Sequence, residues 1–158
     1  MFVKRSLADT FLAGAIAAAA LSNALGVHAA EPFSITSSSF KDGTMLATKN
    51  AGNIKTNPNC IGENISPPLS WSNVPAGTKS FALLMFDPEG RGGLGVSHWV
   101  AYGIPASTTA FAEGAVSQLS DKYIGGKGTA GLGHYLGPCT PPATGISFVL
   151  VVITALSI

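Results

Sequence analysis

Charge and cysteine are both scarce in this chain. Asp, Glu, Lys and Arg make up 11% of its 158 residues, and the only cysteines are Cys60 and Cys139. Nine basic residues stand against eight acidic ones with no run of either sign. The basic footprint that nucleic-acid binding requires is therefore missing, and DNA and RNA are poor partners for it. No Cys-x-x-Cys or His-x-x-x-His spacing occurs, which leaves no zinc-site pattern. There is also no Gly-x-Ser-x-Gly elbow to mark an esterase nucleophile.

What is present begins with a leader. Lys4 and Arg5 precede an Ala-rich apolar stretch from Phe11 to Leu25, and Val27-His28-Ala29 offers small residues for cleavage before Ala30. Residues 1–29 read as a secretory signal, since a membrane anchor needs roughly 20 apolar residues and flanks that this segment lacks. Lys4, Arg5 and Asp9 fall in the leader, so residues 30–158 carry seven charges of each sign and are close to neutral. They have the length of one ordinary domain. Export would place both cysteines in an oxidising compartment, periplasmic or secreted, where one disulfide is permitted. Neither count nor spacing decides between a Cys60–Cys139 bridge and two separate buried thiols.

Beyond the leader, short apolar runs alternate with clusters of Gly, Pro, Ser, Thr and Asn, which is the pattern of an all-β domain with long loops. Phe33 to Ile35 opens a first strand, and Lys41-Asp42-Gly43 makes a turn. Prolines at Asn57-Pro58-Asn59 and Ser66-Pro67-Pro68 forbid helix and favour extended geometry before them. Leu69-Ser70-Trp71 alternates, and Val74-Pro75-Ala76-Gly77 turns the chain. The run from Ser80 to Phe86 is almost continuously apolar and ends at Asp87-Pro88, which predicts a strand buried on both faces. Trp99 to Ile104 is a further strand stopped by Pro105. Phe111 to Ser120 has little pattern, and the glycines between Tyr123 and Gly133 predict a mobile loop. Near the end, Phe148 to Ile153 is the most apolar run outside the leader, and its β-branched residues predict a central strand. Left unpaired, it would be an aggregation hazard.

Two polar, turn-rich segments carry the candidate chemistry. One runs from Asp87-Pro88-Glu89 to Ser97-His98-Trp99, and the other is Tyr135-Leu136-Gly137-Pro138-Cys139-Thr140-Pro141-Pro142. A Gly-rich loop can return a histidine to an aspartate, and a Gly-Pro segment can present backbone N–H groups to an anion. Each residue also has an ordinary structural reading. Asp87 before proline can cap its own turn, His98 can be tied to a carbonyl, and Trp71 and Trp99 suit a core or a pocket wall.

Three stretches in consistent order, Glu63 to Trp71 with Val74 to Phe81, Asp87-Pro88-Glu89 through His98-Trp99-Val100, and Gly137 to Gly145, resemble the phosphatidylethanolamine-binding protein family. Within it they are most similar to the bacterial, Raf-kinase-inhibitor-like branch. The resemblance covers about Phe33 to Gly145. It implies a mainly β, sandwich-like domain with a large and a smaller antiparallel sheet, long loops and few short helices. It also implies a pocket for phosphate-like groups, including a phospholipid head group, with no metal or organic cofactor. By position Asp87 and His98 match the family's aspartate and histidine, while Tyr135, Gly137, Cys139 and Pro141 match the turn that closes the pocket.

Two departures stand out. The family's Gly-x-His-x-Tyr strand is here Gly145-Ile146-Ser147-Phe148-Val149, so Ser147 takes the place of a pocket histidine and weaker anion affinity is expected, because serine cannot carry positive charge. Family chains also continue into a helix and a final strand, which the domain at residues 30–158 is expected to lack. His134 is a candidate to compensate, and Arg91 a candidate donor at the mouth.

The resulting expectation is an exported, non-catalytic binding protein for a small anionic ligand, with a kinase or protease as a partner implied by the family. Two alternatives stand beside it. One is a hydrolase using His98, Asp87 and Ser97 or Ser147; the other is a self-associating envelope protein or homodimer joined through the C-terminal strand.

Overall fold

The computed structural model describes residues 30–141 and 149–158, so the expected leader at residues 1–29, Ser147 and Phe148 lie outside the described residues. Among the described residues, seven strands form two antiparallel sheets. The smaller sheet has the order β1-β2-β5, from Ser34–Thr36, Leu69–Ser72 and Ala110–Phe111. The larger has the order β6-β4-β3-β7, from Ile124–Gly126, Val96–Pro105, Ser80–Asp87 and Leu150–Leu156. A 3-10 turn at Thr48–Asn50 and a single helical turn at Gly90–Gly93 are the helical elements among the described residues. The mainly β architecture with a large and a smaller sheet follows the sequence expectation.

The core lies where the two sheets meet. From β3, Phe81, Leu83 and Met85 point inward, and they meet Leu69 and Trp71 of β2, Phe111 of β5 and Trp99 of β4. Edge-to-face contacts link Trp71 to Phe81 at 5.5 Å, Trp71 to Phe111 at 5.6 Å and Trp99 to Phe111 at 5.7 Å between ring centroids. Each such side chain contributes roughly 1.5–3 kcal/mol through burial, and the aromatic pairs add to that. Both tryptophans are thus core residues.

Three strand expectations need correction. β3 is not buried on both faces. Its burial alternates along all eight residues, because the smaller sheet covers one face while Ala82, Leu84 and Phe86 on the other remain half-buried. The C-terminal run forms a strand, and among the described residues Leu150–Leu156 lies at the edge of the larger sheet, paired with β3 alone. The Gly-rich stretch after Tyr123 is not all loop, since Ile124–Gly126 pairs with Tyr102 to Val100 of β4. There Gly126 admits the Val100 side chain, which would lie 2.7 Å from a Cβ at that position.

Candidate functional site

The site begins with an irregularity in the larger sheet. Asp87 pairs with Val96 and Phe86 with Ser97, but Met85 pairs with Trp99. His98 is therefore the extra residue of a β-bulge, a device that re-aims a side chain. Its effect is that consecutive residues of β4 are both buried, Trp99 in the core and His98 facing the loops at the strand's start. Asp87, the last inward residue of β3, arrives beside it and is 4% exposed.

The loop joining the two strands is held by Asp87 itself. Its Oδ1 accepts hydrogen bonds from the N–H groups of Glu89 at 2.9 Å and Gly90 at 3.0 Å. The turn-capping reading of this aspartate is thus correct, and it coexists with a place in the pocket. The chain re-enters the sheet at Gly95, whose φ of +83° suits glycine and whose missing side chain leaves room for the Phe86 ring.

His98 is oriented by Leu136. Its Nδ1 lies 2.9 Å from the Leu136 carbonyl, which can only accept, so Nδ1 carries the proton. The Leu136 N–H in turn donates to the His98 carbonyl at 3.0 Å. This leaves Nε2 buried with no hydrogen-bond partner among the described residues. Burial pushes the imidazole below the ordinary histidine value, while the Leu136 carbonyl and the negative Asp87 pull it part of the way back. Orientation comes from a backbone carbonyl, the ordinary structural reading of this histidine, and Asp87 acts on His98 through its field.

The segment after Leu136 is clamped from three sides. Asn64, at φ 60°, donates from Nδ2 to the Tyr135 carbonyl at 3.2 Å and accepts the Gly137 N–H at Oδ1, 2.8 Å away. Gly52 donates its N–H to the Pro138 carbonyl at 3.0 Å. A disulfide joins Cys60 to Cys139 with 4.5 Å between Cα atoms, which resolves the two sequence alternatives in favour of the bridge. Gly137 is packed so closely that a Cβ there would fall 2.1 Å from the Asn50 carbonyl oxygen.

Asp87, Arg91, His98, Gly137, Cys139 and Pro141 line one open pocket of about 600 Å³. Two of the expected contributions change. The Gly137 N–H is not free for an anion because Asn64 takes it, whereas the Cys139 N–H meets no acceptor among the described residues. Tyr135 is fully buried behind the wall, where its hydroxyl donates to the Asn50 carbonyl and burial holds its phenol far above the usual range. A larger hollow of about 840 Å³ lies beyond Pro138 and Thr140, walled by Phe40, Met45, Ile61 and Val151. Its described lining contains no histidine, and the candidate residues Asp87, His98, Gly137, Cys139 and Pro141 line the smaller pocket.

Asn64 and Leu136 were missed by reasoning from sequence. Leu136 acts through its backbone, which side-chain identity does not report. The one signal for Asn64 was that asparagine tolerates the left-handed region better than most residues. Among the described residues, no group of three His, Cys, Asp or Glu side chains is placed to hold a metal ion.

Comparison with known proteins bears on this geometry. The phosphatidylethanolamine-binding protein family model matches residues 36–154. YbcL of Escherichia coli, a UPF0098 protein, is 35% identical over 116 residues, which cover 71% of this chain and 62% of YbcL. LppC of Mycobacterium tuberculosis is 37% identical over 117 residues, covering 74% of this chain and 52% of LppC. A UPF0098 protein of Methanothermobacter thermautotrophicus is 39% identical over 97 residues, covering 60% of this chain and 64% of that protein. This chain thus spans less than two thirds of the length of each. The solved structure of YbcL, described as a new member of the mammalian PEBP family, superposes with a TM-score of 0.72 at 32% identity over 80% of this chain and 77% of that one. Family model, relatives and fold agree: this chain belongs to the phosphatidylethanolamine-binding protein family.

Proposed function

We propose that this protein binds a small phosphate-like ligand, such as a phosphate monoester or a phospholipid head group, in the pocket beside His98. One observation carries the reading: a buried imidazole in the wall of an open pocket is locked by a carbonyl on one nitrogen, while its other nitrogen has no hydrogen-bond partner among the described residues. A buried polar atom without a partner is costly, and a ligand oxygen relieves that cost. Neutral Nε2 accepts from a protonated phosphate oxygen. Protonated Nε2 donates to an ionised one, and the Cys139 N–H is a second donor on the same wall. Asp87 repels an anion but favours the charged imidazole, and it suits an ammonium group carried next to the phosphate.

A binding role is favoured over hydrolysis because a nucleophile must be hydrogen-bonded to its base, and Ser97, the candidate nucleophile among the described residues, makes no hydrogen bond to His98 Nε2. Export to the periplasm or beyond is supported by the leader pattern, by the disulfide and by LppC, which is named as a candidate lipoprotein. A role against a kinase or protease rests on the family likeness alone.

The test is a titration with methyl phosphate followed by the His98 imidazole NMR signals. A bound anion should raise the His98 pKa, so affinity should increase as pH falls, and His98→Gln should abolish the response. Unchanged His98 signals at saturating phosphate would remove the reading.

A further inference from the structure

We propose that the Cys60–Cys139 disulfide is a redox latch on the ligand pocket: a dithiol reductant opens it, the wall at Cys139 comes free, and the pocket loses affinity while the β core stays folded. The loss of affinity rests on the binding role proposed above; the release of the wall does not.

The bridge joins two turns that both line the pocket, one through Ile54 and Asn57, the other through Leu136, Gly137 and Cys139. The first turn holds itself together without it. The Asn57 N–H donates to the Ile54 carbonyl and the Cys60 N–H to the Asn57 carbonyl, each at 3.0 Å, and the Asn57 side chain accepts the Asn59 N–H at 3.0 Å. The second turn is different. Its hydrogen-bonded anchors are at Tyr135, Leu136, Gly137 and Pro138. The Cys139 backbone makes no hydrogen bond among the described residues, so the disulfide is what fixes it.

Packing sets the direction of movement. A Cβ at Gly52 would lie 2.6 Å from Cys139 Sγ and 3.7 Å from Cys60 Sγ, so both sulfurs sit beside the Gly52 backbone. A Cβ at Gly137 would collide with the Asn50 carbonyl and lie 2.6 Å from the Ala51 carbonyl carbon. The body behind the turn is therefore closed. Once cleaved, the two sulfurs must separate from bonding distance to van der Waals contact. With Cys60 anchored and Gly52 behind, Cys139 gives way on the pocket side, and its N–H, the second donor for an anion, moves with it.

The bridge is within reach of a thiol. Both cysteines are half-buried, Cys139 lines an open pocket, and Ile61 next to Cys60 is 70% exposed. The core between the sheets includes neither cysteine, so opening the bridge does not require opening the core. One thiolate of the dithiol attacks a sulfur of the bridge, forming a mixed disulfide and expelling the other cysteine as a thiolate, which takes up a proton. The second thiolate of the reductant attacks the mixed disulfide, closes the reductant's own disulfide and releases the second cysteine. Two electrons pass from dithiol to protein.

Dithiothreitol applied to the native protein tests the proposal. Because Cys60 and Cys139 are the only cysteines, alkylation with iodoacetamide and mass spectrometry count the opened bridges directly. The bridge should open without denaturant, and the near-ultraviolet circular dichroism of Trp71 and Trp99 should be retained. The Cys139 amide should gain fast motion, seen as a fall in its heteronuclear NOE, while the amides of β3 and β4 keep theirs. Methyl phosphate affinity should fall about tenfold, the loss of one hydrogen bond to a charged group, and reoxidation should restore it. Cys60→Ser with Cys139→Ser should show the reduced-state affinity and no response to dithiothreitol. A bridge that opens only in denaturant, tryptophan dichroism lost on reduction, a Cys139 amide that stays rigid, or equal measurable affinity in the two states would each overturn the latch. If neither state binds methyl phosphate, the binding role itself is at fault, and the Cys139 amide, read without ligand, still decides the latch: mobile on reduction supports it and rigid overturns it.

Discussion

His98 has one ring nitrogen committed to a carbonyl and one left over, and that division sets how it responds to pH. Its pKa in the folded protein lies below the ordinary histidine value of about 6.5. Between that value and the lower folded one, the unfolded chain binds more protons than the folded chain, so stability falls as pH falls through this window. Above about pH 6.5 the group has no such effect. Urea unfolding between pH 5 and 8 should therefore show an acid-side loss that flattens in His98→Gln; an identical slope in the variant would place the acid sensitivity elsewhere. Phosphate should oppose this loss, because the bound anion favours the charged ring. At this scale Asp87, His98, Gly137, Cys139 and Pro141 were legible in the sequence as members of two motifs. The bulge that aims His98 was not, because it depends on which residue of β4 lacks a partner on β3.

At the scale of elements, the pocket wall is a loop made rigid by cross-links. The segment from Leu136 to Cys139 belongs to no strand, yet it is held by Asn64, by the Gly52 N–H and by the disulfide to Cys60. The two cysteines are 79 residues apart, so the bridge restricts a large part of the unfolded chain, an effect typically worth about 2–4 kcal/mol. Replacing both cysteines with serine should lower stability by about that amount in urea melts, and it should weaken methyl phosphate binding because Cys139 lies in the pocket wall. Unchanged stability and unchanged affinity would show the wall to be held by hydrogen bonds alone. The strands at Leu69, Ser80 and Trp99 were readable from apolar runs bounded by turns. β6 was hidden by its glycines, which serve close packing against Val100 while imitating loop composition.

For the whole molecule, the two sheets are joined by a chain of aromatic contacts, with Phe81 between Phe33 and Trp71. Phe81 is fully buried, so Phe81→Ala should remove both the transfer energy and the packing around it, a loss of about 3–5 kcal/mol. Against a typical total of about 5–15 kcal/mol for a domain, the denaturant midpoint should fall steeply; a loss below about 1 kcal/mol would mean that the sheets are held together elsewhere. Composition and turn spacing by themselves determined that the residues from Ala30 onward form a β domain with little charge, and the ordered motifs determined its family. Only the tertiary structure decided that Leu150–Leu156 pairs with β3, that Cys60 meets Cys139, and that Asn64 takes the Gly137 N–H once expected for an anion. The reason is physical: local sequence sets backbone preference and the alternation of faces, whereas strand pairing, disulfide reach and the fate of a backbone donor depend on segments that meet only after folding.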